Sequence, residues 1–263
     1  SPTSPTSPTS PTSPICLMAR IRDFKGFKQA VELWVDGCTD TDLGAPSRHW
    51  SSFPVSDLKL LSTDDAEALK ICITKCDQGD KYYEAFRGML TRRGGFVNDT
   101  IGCGLTPLSY AIMRAVPKEW IRLLLQHRDI EVNKPDRDVY SMTPLTQLLY
   151  CWVGSPYGEE LLPMFLSHPD IDINQPNRNY GAPIHYAVRG LASLKALLRV
   201  SGLNVNAKAV IVGETPLFIA CFAGNLEAAQ VLLDYKDIDV NAGAKGFTPI
   251  GITARQNHVA VAK

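Results

Sequence analysis

Two patterns of hydrophobic and polar residues alternate along most of this chain. Short stretches with apolar residues at helical spacing come in pairs, as at residues 217–221 and 226–233. Each pair is followed by a short phrase in which apolar and polar residues alternate, such as DIDVN at residues 237–241. This alternation predicts extended chain with Ile238 and Val240 on one buried side. The pattern therefore predicts pairs of short helices, each followed by an extended strap.

The strap phrase recurs at nearly constant spacing. It is written GGFVN, HRDIEVN, HPDIDIN, VSGLNVN and YKDIDVN in chain order. The final asparagines are Asn98, Asn133, Asn174, Asn206 and Asn241, which lie 35, 41, 32 and 35 residues apart. A period of about 33 residues is typical of a solenoid, whose stacked small units bury apolar faces that no unit can bury alone.

A second phrase keeps the same period and marks the helix starts. Thr-Pro pairs stand at residues 106–107, 143–144, 215–216 and 248–249, and Ala182 replaces the Thr in the remaining unit. A Thr hydroxyl at a helix start accepts a hydrogen bond from a free backbone amide, and a Pro in the first turn loses none. We therefore expect these four Thr residues to cap helices.

The combination of Thr-Pro-Leu, a Leu-Leu pair and a closing Val-Asn resembles the ankyrin repeat over residues 62–263. The resemblance implies an all-α fold, an ankyrin-repeat solenoid of stacked helix-turn-helix units with projecting β-turn fingers. The implied units are 62–98 (degenerate), 99–133, 134–174, 175–206, 207–241 and 242–263 (truncated). An insertion, CWVGSPYGEE, lengthens the unit 134–174 and predicts a loop between its helices.

The ankyrin resemblance also assigns single positions. Gly104, Gly213 and Gly246 match the family's turn glycine in the fingers, where a positive φ is needed. Ser141 and Tyr180 stand at this place in the two other fingers, so we expect unusual shapes there. By the same resemblance, His185 braces neighbouring turns through hydrogen bonds. His127 and His168 occupy equal places in successive units, which favours a structural role over metal binding.

Two N-terminal segments precede the repeats. Residues 1–14 repeat Ser-Pro-Thr and offer no apolar side chain to bury, which predicts disorder. Residues 15–61 contain stretches with helical spacing, which predict either a helical cap on the first unit or the remnant of a different upstream domain. Because the sequence opens on Ser1 instead of Met, we expect a piece of a longer protein.

Composition argues against several classes of function. The 27 basic and 27 acidic residues leave no net charge, which argues against nucleic acid or an anionic membrane as partner. No apolar run approaches the ~20 residues of a membrane span. Seven cysteines without Cys-x-x-Cys spacing favour a reduced intracellular protein, cytoplasmic or nuclear, with no metal site. Without a phosphate-binding loop or nucleophile elbow, we expect no enzyme and no cofactor.

Two functions fit these features. The first is a non-enzymatic protein-protein interaction scaffold, a monomer that binds a partner protein on the concave face of fingers and first helices. The second is the recognition arm of a larger multidomain enzyme or sensor, since the strap phrases are similar to ankyrin arrays common in fungal multidomain proteins. The predicted contact residues are those finger residues that are polar, aromatic or apolar and expected to project: Asp136, Arg137, Asp138, Tyr140, Asn177, Arg178, Tyr180, Val210, Ile211, Val212 and Lys245.

Overall fold

The structure, a computed structural model, describes residues 65–91, 95–101, 103–178 and 180–263. The predicted disordered segment at residues 1–14 lies outside the described residues. So do the predicted cap or upstream remnant at 15–61 and the first residues of the degenerate unit.

Helices arranged in six successive pairs form the fold. They are α1 (Asp65–Thr74) and α2 (Asp80–Leu90), α3 (Pro107–Met113) and α4 (Lys118–Leu125), α5 (Pro144–Trp152) and α6 (Pro156–Leu166), α7 (Pro183–Ala187) and α8 (Leu191–Leu198), α9 (Pro216–Ala223) and α10 (Leu226–Leu233), and α11 (Pro249–Arg255) and α12 (Val259–Ala262). A short 3₁₀ helix, Gly95–Asn98, follows α2. The described residues contain no β-strand, only an isolated bridge between Ala244 and Phe247.

The helix pairs stack in chain order. Each first helix contacts the first helix of the next pair, from α1 through α11, and each second helix contacts the next second helix, from α2 through α12. The apolar side chains between them form one continuous core, which includes Leu124, Phe165, Leu197 and Leu232, one fully buried side chain from each of four second helices. The predicted all-α solenoid is confirmed.

The predicted Thr caps are present. The hydroxyl oxygens of Thr106, Thr143, Thr215 and Thr248 each accept a hydrogen bond of 3.2 Å from the backbone amide three residues later. Ala182 offers no such acceptor, and its helix, α7, has only five residues. The Thr-Pro phrase therefore fixes where the first helices begin.

The insertion at residues 151–160 is largely helical, so the loop prediction is wrong. It extends α5 to Trp152 and starts α6 at Pro156, because the Ser155 hydroxyl caps α6 by accepting from Gly158 N at 3.1 Å. Trp152 Nε1 and the Tyr157 hydroxyl each donate at 2.8 Å to carbonyl groups of the preceding pair, those of Ile112 and Val116. The added residues therefore tie two helix pairs together.

The straps are pairs of turns, not the continuous extended segments that the alternation predicts. In the strap at 127–133, Ile130 N donates to His127 O and Lys134 N donates to Glu131 O. His127 Nδ1 also accepts from Asp129 N at 3.2 Å, and His168 Nδ1 accepts equally from Asp170 N. These local partners replace the hydrogen bonds that a neighbouring strand would supply.

Asparagines at the strap ends join each strap to the next. Asn98 Nδ2 donates to Asp129 O at 2.6 Å, and its Oδ1 accepts from Glu131 N at 2.8 Å. The same pair of hydrogen bonds recurs from Asn133 to residues 170 and 172, from Asn174 to residues 202 and 204, and from Asn206 to residues 237 and 239. We call this series the asparagine ladder.

The second apolar residue of each strap is buried except in the last strap. Val132, Ile173 and Val205 are buried, but Val240 is 47% exposed, so its predicted burial is wrong. The first apolar residues Ile130, Ile171 and Ile238 are half-buried. No further strap stacks on residues 237–241 in the described chain, and the second helix of the pair that follows, α12, has only four residues. Burial of a strap residue therefore depends on the unit that stacks on it.

Candidate binding surface

The turns between one strap and the next helix pair form a row of fingers. We number them finger 1 (99–105), finger 2 (134–142), finger 3 (175–181), finger 4 (207–214) and finger 5 (242–247). Backbone hydrogen bonds connect neighbours: Arg137 N donates to Gly104 O at 2.7 Å, and Val210 N donates to Tyr180 O at 3.2 Å. Fingers 1 and 2, and fingers 3 and 4, are thus held side by side.

Fingers 2 and 3 have Ser141 and Tyr180 at the position where the other fingers have the turn glycine. Gly104, Gly213 and Gly246 have positive φ as predicted. In finger 2, Ser141 adopts φ 48° while Asp138 Oδ1 accepts from its amide at 2.8 Å.

In finger 3, the Asn177 side chain holds the turn. Asn177 Oδ1 accepts from the amides of Tyr180 and Gly181 at 2.9 and 2.7 Å. An Asp or Asn side chain that bonds to a nearby backbone amide stabilises such turns. Ser141 thus keeps the left-handed conformation of the family glycine, and both fingers that lack this glycine are held by a side-chain acceptor, Asp138 or Asn177.

Asp136 and Asn177 do not project from the fingers, so both are wrong as predicted contact residues. Their exposed fractions are 2% and 1%. Asp136 Oδ1 accepts from Thr106 N of the preceding unit at 2.8 Å, and Asn177 Nδ2 donates to the Tyr186 hydroxyl at 2.8 Å. Both side chains are short enough to bond inside the finger base, where backbone amides and a hydroxyl need partners.

The other predicted contact residues reach the surface to different extents. Arg137, Arg178, Val210, Ile211 and Lys245 are exposed. Those that are half-buried are Asp138, Tyr140, Tyr180 and Val212. Asn179, between Arg178 and Tyr180, lies outside the described residues.

The first helices contribute little to this surface, contrary to the prediction of a combined finger and first-helix face. Every residue of α3 and of α7 is buried, and in α5 only Tyr150 is partly exposed. The first helices α3, α5, α7 and α9 each lie between two neighbouring first helices and against their own second helix, so little of their surface remains. The fingers therefore supply most of the accessible side chains on this side of the solenoid.

Four tyrosines connect fingers 2 and 3 to the helices below them. The rings of Tyr140 and Tyr180 lie 5.8 Å apart, and those of Tyr150 and Tyr186 lie 6.1 Å apart in an edge-on arrangement. Burial raises the pKa of Tyr150 and Tyr186, and Arg189, whose pKa burial lowers, lies near both. Sequence reasoning missed Tyr150, Tyr186 and Arg189, because no repeated position links them.

His185 braces the bases of fingers 3 and 4, as the family resemblance implies. Its Nε2 lies 2.9 Å from Ala207 O and 3.2 Å from Glu214 O, while Nδ1 lies 3.1 Å from Ala182 O. Burial lowers the pKa of His185. The ring is therefore a neutral structural bridge.

Asp136 makes stability depend on pH. Burial raises the pKa of its carboxyl to about 7, against the hydrogen bond from Thr106 N, and no donor meets its buried Oδ2 in the described residues. The pKa in the unfolded chain is about 3.9. The folded state therefore binds more protons between about pH 4 and pH 7, and the stabilisation present below pH 4 is lost as pH rises through 7.

We predict that Asp136→Asn becomes progressively more stable relative to wild type as pH rises from 5 to 8. The slope is at most about 1.4 kcal/mol per pH unit, and Asn preserves the oxygen that Thr106 N needs. Urea denaturation of both proteins across this range measures the difference in their free energies of unfolding. His185 has the opposite effect on the pH dependence of stability, but it is present in both proteins and cancels in the difference. A constant difference would show that the carboxyl does not titrate in this range.

Burial sets the chemistry of several cysteine thiols in the described chain. Cys72, Cys76, Cys151 and Cys221 form no disulfide. Burial raises the pKa of Cys72 and of Cys151 to about 12, so neither is a ready nucleophile. Within the described residues, no three His, Cys, Asp or Glu side chains lie together in a way that suits a metal ion.

Among the described helices, none combines the length and the apolar character that a bilayer crossing requires.

Comparison with known proteins identifies the repeats. Residues 184–263 match the family model for ankyrin repeats in three copies. The fold is similar to the crystal structure of the ankyrin repeat domain of Bcl-3, described as a unique member of the IkappaB protein family. That match has a TM-score of 0.59 and 20% sequence identity, and covers 72% of this chain and 82% of that one. No curated protein matches by sequence. The resemblance read from the sequence is confirmed.

Proposed function

We propose that this array of ankyrin repeats is a non-enzymatic scaffold that binds another protein through its fingers. Ankyrin repeats are generally protein-protein interaction modules and are typically not catalytic. The observation that carries the proposal is the exposure of three aliphatic side chains at the finger tips, 73% for Val139, 53% for Val210 and 67% for Ile211. Exposed apolar side chains that cluster on one surface mark interaction sites.

Residues beside these tips support the same surface. Arg178 is exposed on finger 3, and the ring of Tyr180 packs against Tyr140 of finger 2. Arg and Tyr are enriched among the residues that dominate binding energy, because they combine apolar area with hydrogen-bonding groups. The stacked rings are held in place before binding, which lowers the entropy lost on association.

We predict that Arg178→Ala together with Tyr180→Ala weakens binding of the partner protein by about 2 kcal/mol or more, which is about 30-fold. The partner for this test is the protein that wild type captures from the source cells, purified and titrated by biolayer interferometry. Because Tyr180 also packs inside the fingers, Arg178→Ala is tested alone as well. Thermal melts of each variant show whether the fold is kept.

The matched control is Glu227→Ala with Gln230→Ala. Both side chains are exposed on the second helix α10, away from the fingers. Their loss is expected to leave binding unchanged. Normal binding by the finger variants, together with lost binding by the α10 variant, would move the interaction to the second helices and contradict the proposal.

A further inference from the structure

Exposed charge on fingers 2 to 5 is of one sign. The exposed charged side chains there are Arg137, Arg178, Lys208 and Lys245. The acidic residues Asp136 and Glu214 of the same fingers are buried, and Glu214 pairs with Lys245 at 3.7 Å, which leaves Arg137, Arg178 and Lys208 as the exposed cations of fingers 2 to 4. Asp138 is half-buried, and its carboxylate accepts from the amides of residues 140 and 141.

The compensating acidic residues lie on the straps. Exposed carboxylates there include Asp129, Glu131, Asp170, Asp172, Asp237 and Asp239. Fingers 2 to 4 therefore expose net positive charge, although the chain as a whole has none. A local field of this kind attracts oppositely charged partners and repels like-charged ones.

Apolar side chains lie among these basic groups. Val210 N bonds to Tyr180 O, so the exposed tip of finger 4 is held beside the Tyr140–Tyr180 pair. Ile211 extends this surface, and Val139 projects from the tip of finger 2. We call Val139, Tyr140, Tyr180, Val210 and Ile211 the apolar ridge.

We propose that the apolar ridge and its flanking basic residues recognise an acidic segment of the partner that carries aliphatic or aromatic side chains. This inference rests on the proposed function and specifies its ligand. The ridge removes the partner's apolar side chains from water, and Arg137, Arg178 and Lys208 neutralise its carboxylates. A nucleic acid would meet the same cations, but it offers nothing aliphatic to cover Val139, Val210 and Ile211.

The test is selection from a phage-displayed library of random twelve-residue peptides on the immobilised full chain. We expect the enriched peptides to carry net negative charge and at least two aliphatic or aromatic residues. Synthetic fluorescent versions of these peptides are then titrated by fluorescence anisotropy at two salt concentrations. Affinity is expected to fall as salt rises, because charge attraction is screened.

Two finger variants locate the binding. Arg137→Gln with Arg178→Gln removes charge, and Val210→Ser with Ile211→Ser removes apolar area. Each is expected to lower peptide affinity by about tenfold or more. The matched control, Lys195→Gln with Lys236→Gln, removes two exposed cations outside the fingers and is expected to change nothing. Unchanged thermal melts exclude unfolding as the cause.

Several results would overturn the proposal. They are enrichment of neutral or basic peptides, no enrichment at all, equal binding by the finger variants, or tighter binding of a single-stranded oligonucleotide than of any selected peptide. If one of these results is found but partner capture still depends on Arg178 and Tyr180, the fingers remain the protein-binding surface and only the acidic segment is rejected. If partner capture does not depend on Arg178 and Tyr180 either, the finger surface itself is rejected.

Discussion

Gly158→Ala is expected to lower the free energy of unfolding by about 3 kcal/mol, the upper part of the range for overpacking a core. A Cβ at residue 158 would lie 2.1 Å from the carbonyl oxygen of Trp152 and 2.8 Å from its carbonyl carbon. That backbone cannot yield easily, since Trp152 Nε1 is bonded to Ile112 O and the Ser155 hydroxyl is bonded to Trp152 O. Equilibrium urea denaturation measures the loss.

Gly88→Ala is the matched control for this change. Gly88 also lies within a helix, α2, but a Cβ there meets no atom within 4 Å. Ala in a helix interior is favoured over Gly, so this variant is expected to gain about 0.5–1 kcal/mol. Equal effects of the two substitutions would show that α6 does not pack tightly against Trp152 at the end of α5.

Asn98→Ala is expected to cost about 2 kcal/mol, because it removes two half-buried hydrogen bonds, one to the carbonyl of Asp129 and one from the amide of Glu131. Asn98 is the buried first member of the asparagine ladder. Hydrogen exchange followed by mass spectrometry should show faster exchange at residues 127–133, together with the lower stability.

Asn241→Ala provides the comparison within the same sequence motif. Asn241 ends the last strap, is exposed, and bonds through its backbone amide to Asp239 instead of joining a further strap. Its replacement is expected to change stability by less than about 0.5 kcal/mol, as is usual at the surface. A large loss here, or none at Asn98, would contradict the ladder as the reason that the strap asparagine recurs.

Local chemistry explains which parts of the fold were predictable. The helix starts follow from Thr-Pro because a cap needs only residues three apart, and the helix pairs follow from apolar spacing within each unit. The insertion was misassigned because Ser155 and Pro156 supply a cap of their own within what reads as a loop. The strap motif was recognised, but its asparagine acts between units, which no single unit reveals.

The finger residues show where sequence reasoning stops. Asp136 and Arg137 are neighbours and both polar, yet one is buried against Thr106 and the other is exposed. Their difference is set by the preceding unit, whose amide needs an acceptor at that place. Similarly, Tyr180 packs on Tyr140 across 40 residues of sequence, which depends on the stacking distance of two units. Contacts between repeats decide which finger side chains remain for a partner.

The most direct test of the finger surface is photo-crosslinking from single positions in the intact chain. One protein carries Arg178→p-benzoylphenylalanine on finger 3, and a second carries Gln230→p-benzoylphenylalanine on α10. Both are irradiated with the partner protein that wild type captures, and the products are identified by mass spectrometry. The account predicts a covalent adduct from position 178 and none from position 230. An adduct from position 230 alone would contradict it.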